Sequence, residues 1–187
     1  EMLDLFMSNI LLKENILDPQ MLEYVNALLR FKTKFKLHWS NAEEFNSGKM
    51  TMMNSDELTE LDSVFVYILD IITNRGLIEK GKYELKRSYA NLNFSGQDNA
   101  SSWHTDTGFE GSDGSTHTIL FYPQQWQSEW GGETEFKNTE VVNKTTKVEY
   151  KQNQVILFDG KIPHRAAAHN NPNAYRFTIA YKVKLKQ

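Results

Sequence analysis

Apolar and polar positions change rhythm near residue 82. Before it, the chain repeats at helical spacing. In "LDPQMLEYVNALLRF", Leu22, Val25 and Leu29 fall on one face, with Asp18 placed to cap a helix and Pro19 at its first position. In "NSDELTELDSVFVYILDIITNRG", Leu58, Leu61, Phe65, Ile68 and Ile72 make a buried stripe, between a capping-box pair (Asn54 and Glu57) and Gly76 at the C-terminal end. Between these helices "FKLHWS" reads as a short strand and "NAEEFNSGKMTMMNS" as a loop.

From Lys82 onward short β-type runs alternate with turn residues. Strands are predicted in "YELKRSYANLNF", "HTILFY", "ETEF", "EVV", "TKVEY", "QVILFD" and "YRFTIAYKVKL". The punctuation between them, such as "FSGQDNASS", "EGSDGS" and "HNNPNA", is rich in Gly, Asn, Asp and Ser. Short strands without intervening helices predict an antiparallel sandwich, barrel or jelly roll rather than βαβ units. The expected fold is mainly β with N-terminal helices packed on one sheet. One domain is expected over residues 1–187, with a helical support region (1–81) and a β core (82–187).

Composition narrows the chemistry. The 187 residues are 40% apolar and 24% charged, with a net charge of -3, as in an ordinary globular protein. That balance, and the lack of Arg-rich runs, argue against nucleic acid as a partner. The absence of cysteine excludes disulfides, thiolate metal sites and cysteine nucleophiles. No apolar run reaches membrane-spanning length and no signal-peptide pattern opens the chain, so the expectation is a cytoplasmic location and no membrane partner.

The candidate chemistry lies in the β half. "SSWHTDTG" presents His104 and Asp106 two positions apart, and "VILFDGKIPHR" presents His164 just past a buried strand. His169 competes with His164 as a third ligand; the "DGKIPH" context favours His164, and leaves His169 a surface residue beside "NNPN". Arg176 opens the last strand, where burial would demand an anionic partner; the alternative is a surface ion pair. Two histidines and one carboxylate are the facial triad of non-haem Fe(II) oxygenases, which leaves open positions on the metal. Trp126 and Trp130 are either rim packing or the wall of a substrate groove.

In order and context, "WHTD", "EWGGETEF", "VILFDGKIPH" and "YRFTIAYK" resemble the Fe(II)/2-oxoglutarate-dependent oxygenases, most closely their prolyl-4-hydroxylase-like branch. The resemblance covers about residues 83–185. It implies a double-stranded β-helix, a jelly roll, with His104, Asp106 and His164 as both the catalytic centre and the iron ligands. It implies that Arg176 binds the distal carboxylate of 2-oxoglutarate, with Thr178, on the same strand face, adding a hydrogen bond. Relatives often carry a tyrosine where this chain has Phe94, and Tyr89 and Asn91 are the expected substitutes as cosubstrate contacts. The implied cofactors are Fe(II), 2-oxoglutarate and O2, with ascorbate as a reductant. The implied activity is hydroxylation of a peptidyl proline, a related protein side chain or an amino-acid-like molecule. Asp106 favours hydroxylation over halogenation, because halogenating relatives carry a small residue there. Oxidative demethylation of nucleic acid on the same fold, and a non-catalytic jelly-roll binding module, are the competing readings.

Overall fold

The structure, a computed structural model of the 187-residue chain, describes residues 10–38, 51–54, 60–96, 101–107, 116–138 and 144–186. Helix α1 (Pro19–Ala27) starts where Asp18 Oδ1 accepts the Met21 N–H at 2.9 Å, and it runs on into one π-type turn, Leu28–Lys32. Helix α2 (Glu60–Asn74) buries Phe65, Ile68 and Ile72 completely. The strands are β1 (Ile10–Glu14), β2 (Phe35–His38), β3 (Thr51–Asn54), β4 (Tyr83–Asn93), β5 (Thr116–Tyr122), β6 (Thr134–Lys137), β7 (Thr145–Val148), β8 (Gln154–Asp159), β9 (His164–Ala166) and β10 (Arg176–Leu185). A larger antiparallel sheet runs β1-β8-β5-β10-β4-β3-β2, and a smaller one runs β7-β6-β9. This is the expected jelly roll.

Strand β10 shows how the two-residue period builds the molecule. Phe177, Ile179, Tyr181 and Val183 face a core shared with Val25, Leu29, Phe65, Ile68 and Ile72, so both helices cover the outer face of the larger sheet. The alternate residues Arg176, Thr178 and Lys182 line an interior cavity instead. A second apolar cluster includes Tyr122, Phe136, Tyr150, Ile156 and Phe158, drawn from both sheets and the β7–β8 connection. One wall of the site is therefore anchored to two cores.

The N-terminal third contributes strands as well as helices. β1 pairs with β8 from Ile10↔Phe158 to Glu14↔Gln154, and β2 and β3 extend the sheet beyond β4. β3 falls inside the stretch that reads as a loop, and β1 where no strand is expected. Five residues of "ILLKE" carry no decisive period, and their extended form comes from an edge 140 or more positions away in sequence. The helix expected to begin at Asn54 has its first described helical residue at Glu60. The strand predicted at residues 140–142 lies outside the described residues.

Candidate metal and cosubstrate site

His104 and His164 are held by each other's backbone. The His104 N–H donates to the His164 carbonyl at 3.1 Å and the His164 N–H to the His104 carbonyl at 2.9 Å, an isolated bridge at the edge of the smaller sheet. Asp106 is fixed through its own N–H, which donates to the Gly160 carbonyl at 2.7 Å, and its carbonyl accepts from Thr116 Oγ1 at 3.0 Å. Gly160 has to be glycine: a Cβ there would stand 2.8 Å from the Thr116 carbonyl and 3.3 Å from Asp106 Cβ. The turn of "FDGKIPH" thus carries both the floor under Asp106 and the approach to His164.

Those constraints bring one nitrogen from each histidine and a carboxylate oxygen within 4.8 Å of one another. His104 Nδ1 lies 2.9 Å from the Ser102 carbonyl, and His164 Nδ1 lies 2.9 Å from the Ile162 carbonyl. A carbonyl can only accept, so these contacts assign the proton of each neutral ring to Nδ1 and leave Nε2 with its lone pair. The second-ring hydrogen bond is the usual support of a metal-binding histidine. His164 Nε2 then faces Asp106 Oδ2 at 3.2 Å, and His104 Nε2 faces Oδ1 at 3.9 Å. Lone pairs opposed at that range call for a cation between them, and the donor set suits a divalent metal with open positions.

Electrostatics keep the set in its ligating form. Burial pushes the His104 imidazole down, and the neighbouring His164 pushes the same way, so the neutral ring is favoured. For Asp106, burial pushes the carboxyl up, but a proton shared with His164 in the metal-free site and the Lys182 ammonium outweigh it and hold it well below the usual carboxylate range. Lys182 is itself 5% exposed. Burial opposes its charge, while Tyr89 and Asp106 favour it and the net shift is upward.

The second half of the site surrounds Arg176, which is 2% exposed. Its Nε donates to the Gly132 carbonyl at 2.7 Å, Nη1 to Asn93 Oδ1 at 3.3 Å and Nη2 to Thr134 Oγ1 at 3.4 Å. The guanidinium also lies over the Tyr150 ring at 5.2 Å and the Tyr122 ring at 5.7 Å. Every one of these partners is neutral. Among the described residues no carboxylate pairs with it, so a buried positive charge awaits an anion. Gly132 makes this cradle possible: its φ is +81° and a Cβ would meet Arg176 Cδ at 3.2 Å. His104, His164, Arg176, Thr178, Tyr89, Asn91 and Lys182 line one cavity.

The sequence profile of the 2OG-Fe(II) oxygenase superfamily matches residues 89–182. The chain belongs to that superfamily. The 2OG-Fe(II) oxygenases use Fe(II) and 2-oxoglutarate, which fits a two-histidine, one-carboxylate cluster beside an unneutralised arginine. A search of curated protein sequences finds no match. Among solved structures, a prolyl-4-hydroxylase from Pseudomonas putida is similar at a TM-score of 0.60 and 14% identity, over 100% of this chain and 97% of that one. A Trichoplax adhaerens prolyl hydroxylase, solved with a hypoxia inducible factor peptide fragment, has a TM-score of 0.67 and 19% identity, covering 98% of this chain and 86% of that one. HygX from Streptomyces hygroscopicus, solved with nickel and 2-oxoglutarate, has a TM-score of 0.63 and 12% identity over 98% of this chain and 86% of its own. At these identities the likeness is one of fold.

Other sequence expectations resolve differently. His169 is not at the surface but 2% exposed, with Nε2 3.2 Å from the Asn93 carbonyl. The Gly131↔His169 bridge draws it beneath the "EWGG" bend, away from the triad. Trp126 packs on Tyr150, His169 and Trp130 and donates from Nε1 to the Gly131 carbonyl at 2.7 Å, so it buttresses the Arg176 cradle. Phe94 stacks edge-on with Tyr175 at 5.5 Å. Sequence reasoning missed Lys182, although its place six residues after Arg176, on the same strand parity, was a readable signal. It also missed Thr118, Asn93 and Thr134, whose roles depend on cross-strand register.

Proposed function

We propose that this chain is an Fe(II)- and 2-oxoglutarate-dependent dioxygenase that hydroxylates an unactivated C–H bond, on a peptidyl proline or a related amino-acid side chain. The observation that carries the reading is that the His104–Asp106–His164 cluster, through its two histidines, and the Arg176 guanidinium border one cavity. Bound Fe(II) supplies the redox chemistry by which O2 and 2-oxoglutarate give succinate, CO2 and the hydroxylated product.

The chain's own groups do the binding and orientation. His104, Asp106 and His164 would hold the metal through Nε2, a carboxylate oxygen and Nε2. The Nδ1 contacts to Ser102 and Ile162 keep both rings turned toward it. Arg176 has five N–H groups and uses three on neutral partners, which leaves two for the distal carboxylate of 2-oxoglutarate. Thr178, Tyr89 and Asn91 line the same cavity, which supports their assignment as further contacts of the cosubstrate. The peptide bound to the Trichoplax adhaerens prolyl hydroxylase supports a peptide or protein substrate for this chain. The test is succinate release with Fe(II), 2-oxoglutarate and ascorbate, against proline-containing peptides, free amino acids and methylated oligonucleotides. Turnover on peptides or amino acids is the expected result; turnover on oligonucleotides alone would replace hydroxylation with oxidative demethylation.

A further inference from the structure

Asp106 does not stand alone behind the histidines. Thr118 Oγ1 of β5 donates to its Oδ2 at 2.6 Å, and the Lys182 ammonium of β10 pairs with the same oxygen. Lys182 Nζ is also 3.2 Å from Thr118 Oγ1, as expected for residues directly opposite in the β5–β10 register. Lys182 is buried, and Asp106 is the carboxylate that makes its burial tolerable. The same carboxylate is therefore claimed by an ammonium and, on the functional reading above, by a divalent metal.

Two effects oppose each other. Lys182 and Thr118 orient the carboxylate, and losing such an outer partner typically costs about 10–100-fold in metal affinity. Against this stands charge. With metal–oxygen bonds of about 2 Å, an ammonium on either carboxylate oxygen lies about 4–7 Å from the ion. At an effective dielectric constant of about 20, a dication and a unit charge at that separation repel by more than about a thousand-fold in a binding constant. Charge wins by about ten-fold or more. The metal alone also adds two positive charges to a cavity that already holds Lys182 and Arg176. The metal together with dianionic 2-oxoglutarate adds none.

We propose that Lys182 is a resident counter-cation for Asp106, which balances the metal-free site and lowers its intrinsic metal affinity so that tight retention requires 2-oxoglutarate. This rests on the reading of the site as an Fe(II)/2-oxoglutarate centre. Lys182 acts through Asp106 and is a positioning and affinity-setting residue, not a ligand.

The experiment is calorimetric titration of Mn(II), a redox-silent probe, into wild type, Lys182→Met, Lys182→Gln and Lys182→Arg, with and without 2-oxoglutarate. Circular dichroism checks the fold of each. Without cosubstrate, Lys182→Met and Lys182→Gln should bind Mn(II) at least ten-fold more tightly than wild type, and the tightening caused by 2-oxoglutarate should shrink. Lys182→Arg should stay within three-fold of wild type in both states. Gln keeps a donor toward Asp106 and lacks the charge, so it separates charge from hydrogen bonding and decides the matter if the Met variant fails to fold. Equal or weaker Mn(II) binding in the uncharged variants overturns the proposal. So does failure of both to fold in saturating Mn(II), since the dication should replace the lost charge. Absence of Mn(II) binding in wild type would instead overturn the functional reading, and this proposal with it.

Discussion

Arg176→Gln separates cosubstrate recognition from metal binding. The guanidinium has two N–H groups left after its bonds to Gly132, Asn93 and Thr134, and its buried site admits little water to compete. Each charge-assisted hydrogen bond to a carboxylate is worth about 1.5–3 kcal/mol, so two are worth about 3–6 kcal/mol. Residual bonding from Thr178 or water recovers part of this. The expected outcome is at least a hundred-fold rise in the 2-oxoglutarate Kd, read by titrating 2-oxoglutarate into the Mn(II)-loaded protein. Mn(II) binding without cosubstrate should survive, because none of the three ligands touches Arg176. Arg176→Lys should recover only part of the affinity, since a point charge cannot offer the two-pronged fork. A 2-oxoglutarate Kd within three-fold of wild type, in a protein with an undisturbed melting curve, would refute the assignment.

Further outcomes follow from the same contacts. Gly132→Ala forces a side chain into a left-handed backbone and against Arg176 Cδ, so it should destabilise by about 1–2 kcal/mol and weaken 2-oxoglutarate binding as well; a calorimetric melt and the same titration check both. Phe136→Ala removes a fully buried ring that packs edge-on to Phe158 and lies 6.1 Å from the His164 ring. It should cost about 3–5 kcal/mol in denaturant unfolding. In the metal-free protein, the His104 pKa is lower folded than unfolded, so the unfolded chain binds the proton first. Stability should therefore fall as pH drops below about 6.5, and Asp106, also depressed, should add a loss as pH falls below about 4. Melting temperatures of the chelator-treated protein across pH 4–8 should show the first loss, smaller in His104→Asn.

Legibility in the sequence tracked how local each interaction is. "QVILFD" was readable at its full length because six consecutive residues form a buried strand bounded by turn signals. The His104–Asp106–His164 cluster was readable because two of its members share one short stretch and the third follows a Gly turn that also supports Asp106. β1 was not, because its extended form depends on the β8 edge rather than on its own five residues. β9 is only three residues long, too short for a period. The Arg176 cradle draws Asn93, Gly132 with Thr134, and Tyr150 from three separated segments, so no single stretch displays it. Strand parity with Arg176 gives the facing of Lys182 within "AYKVK", but nothing local names the carboxylate it meets, which comes from 76 positions earlier.

On the proposed function, His104, Asp106 and His164 hold Fe(II) beside a 2-oxoglutarate anchored by Arg176. The most direct test is the visible absorption of the anaerobic protein with Fe(II) and 2-oxoglutarate. The expected result is a metal-to-cosubstrate charge-transfer band that saturates at one Fe(II) per chain, is absent without either component, and is abolished by His104→Ala. No band in the wild-type protein, or a band undiminished in His104→Ala, would contradict it.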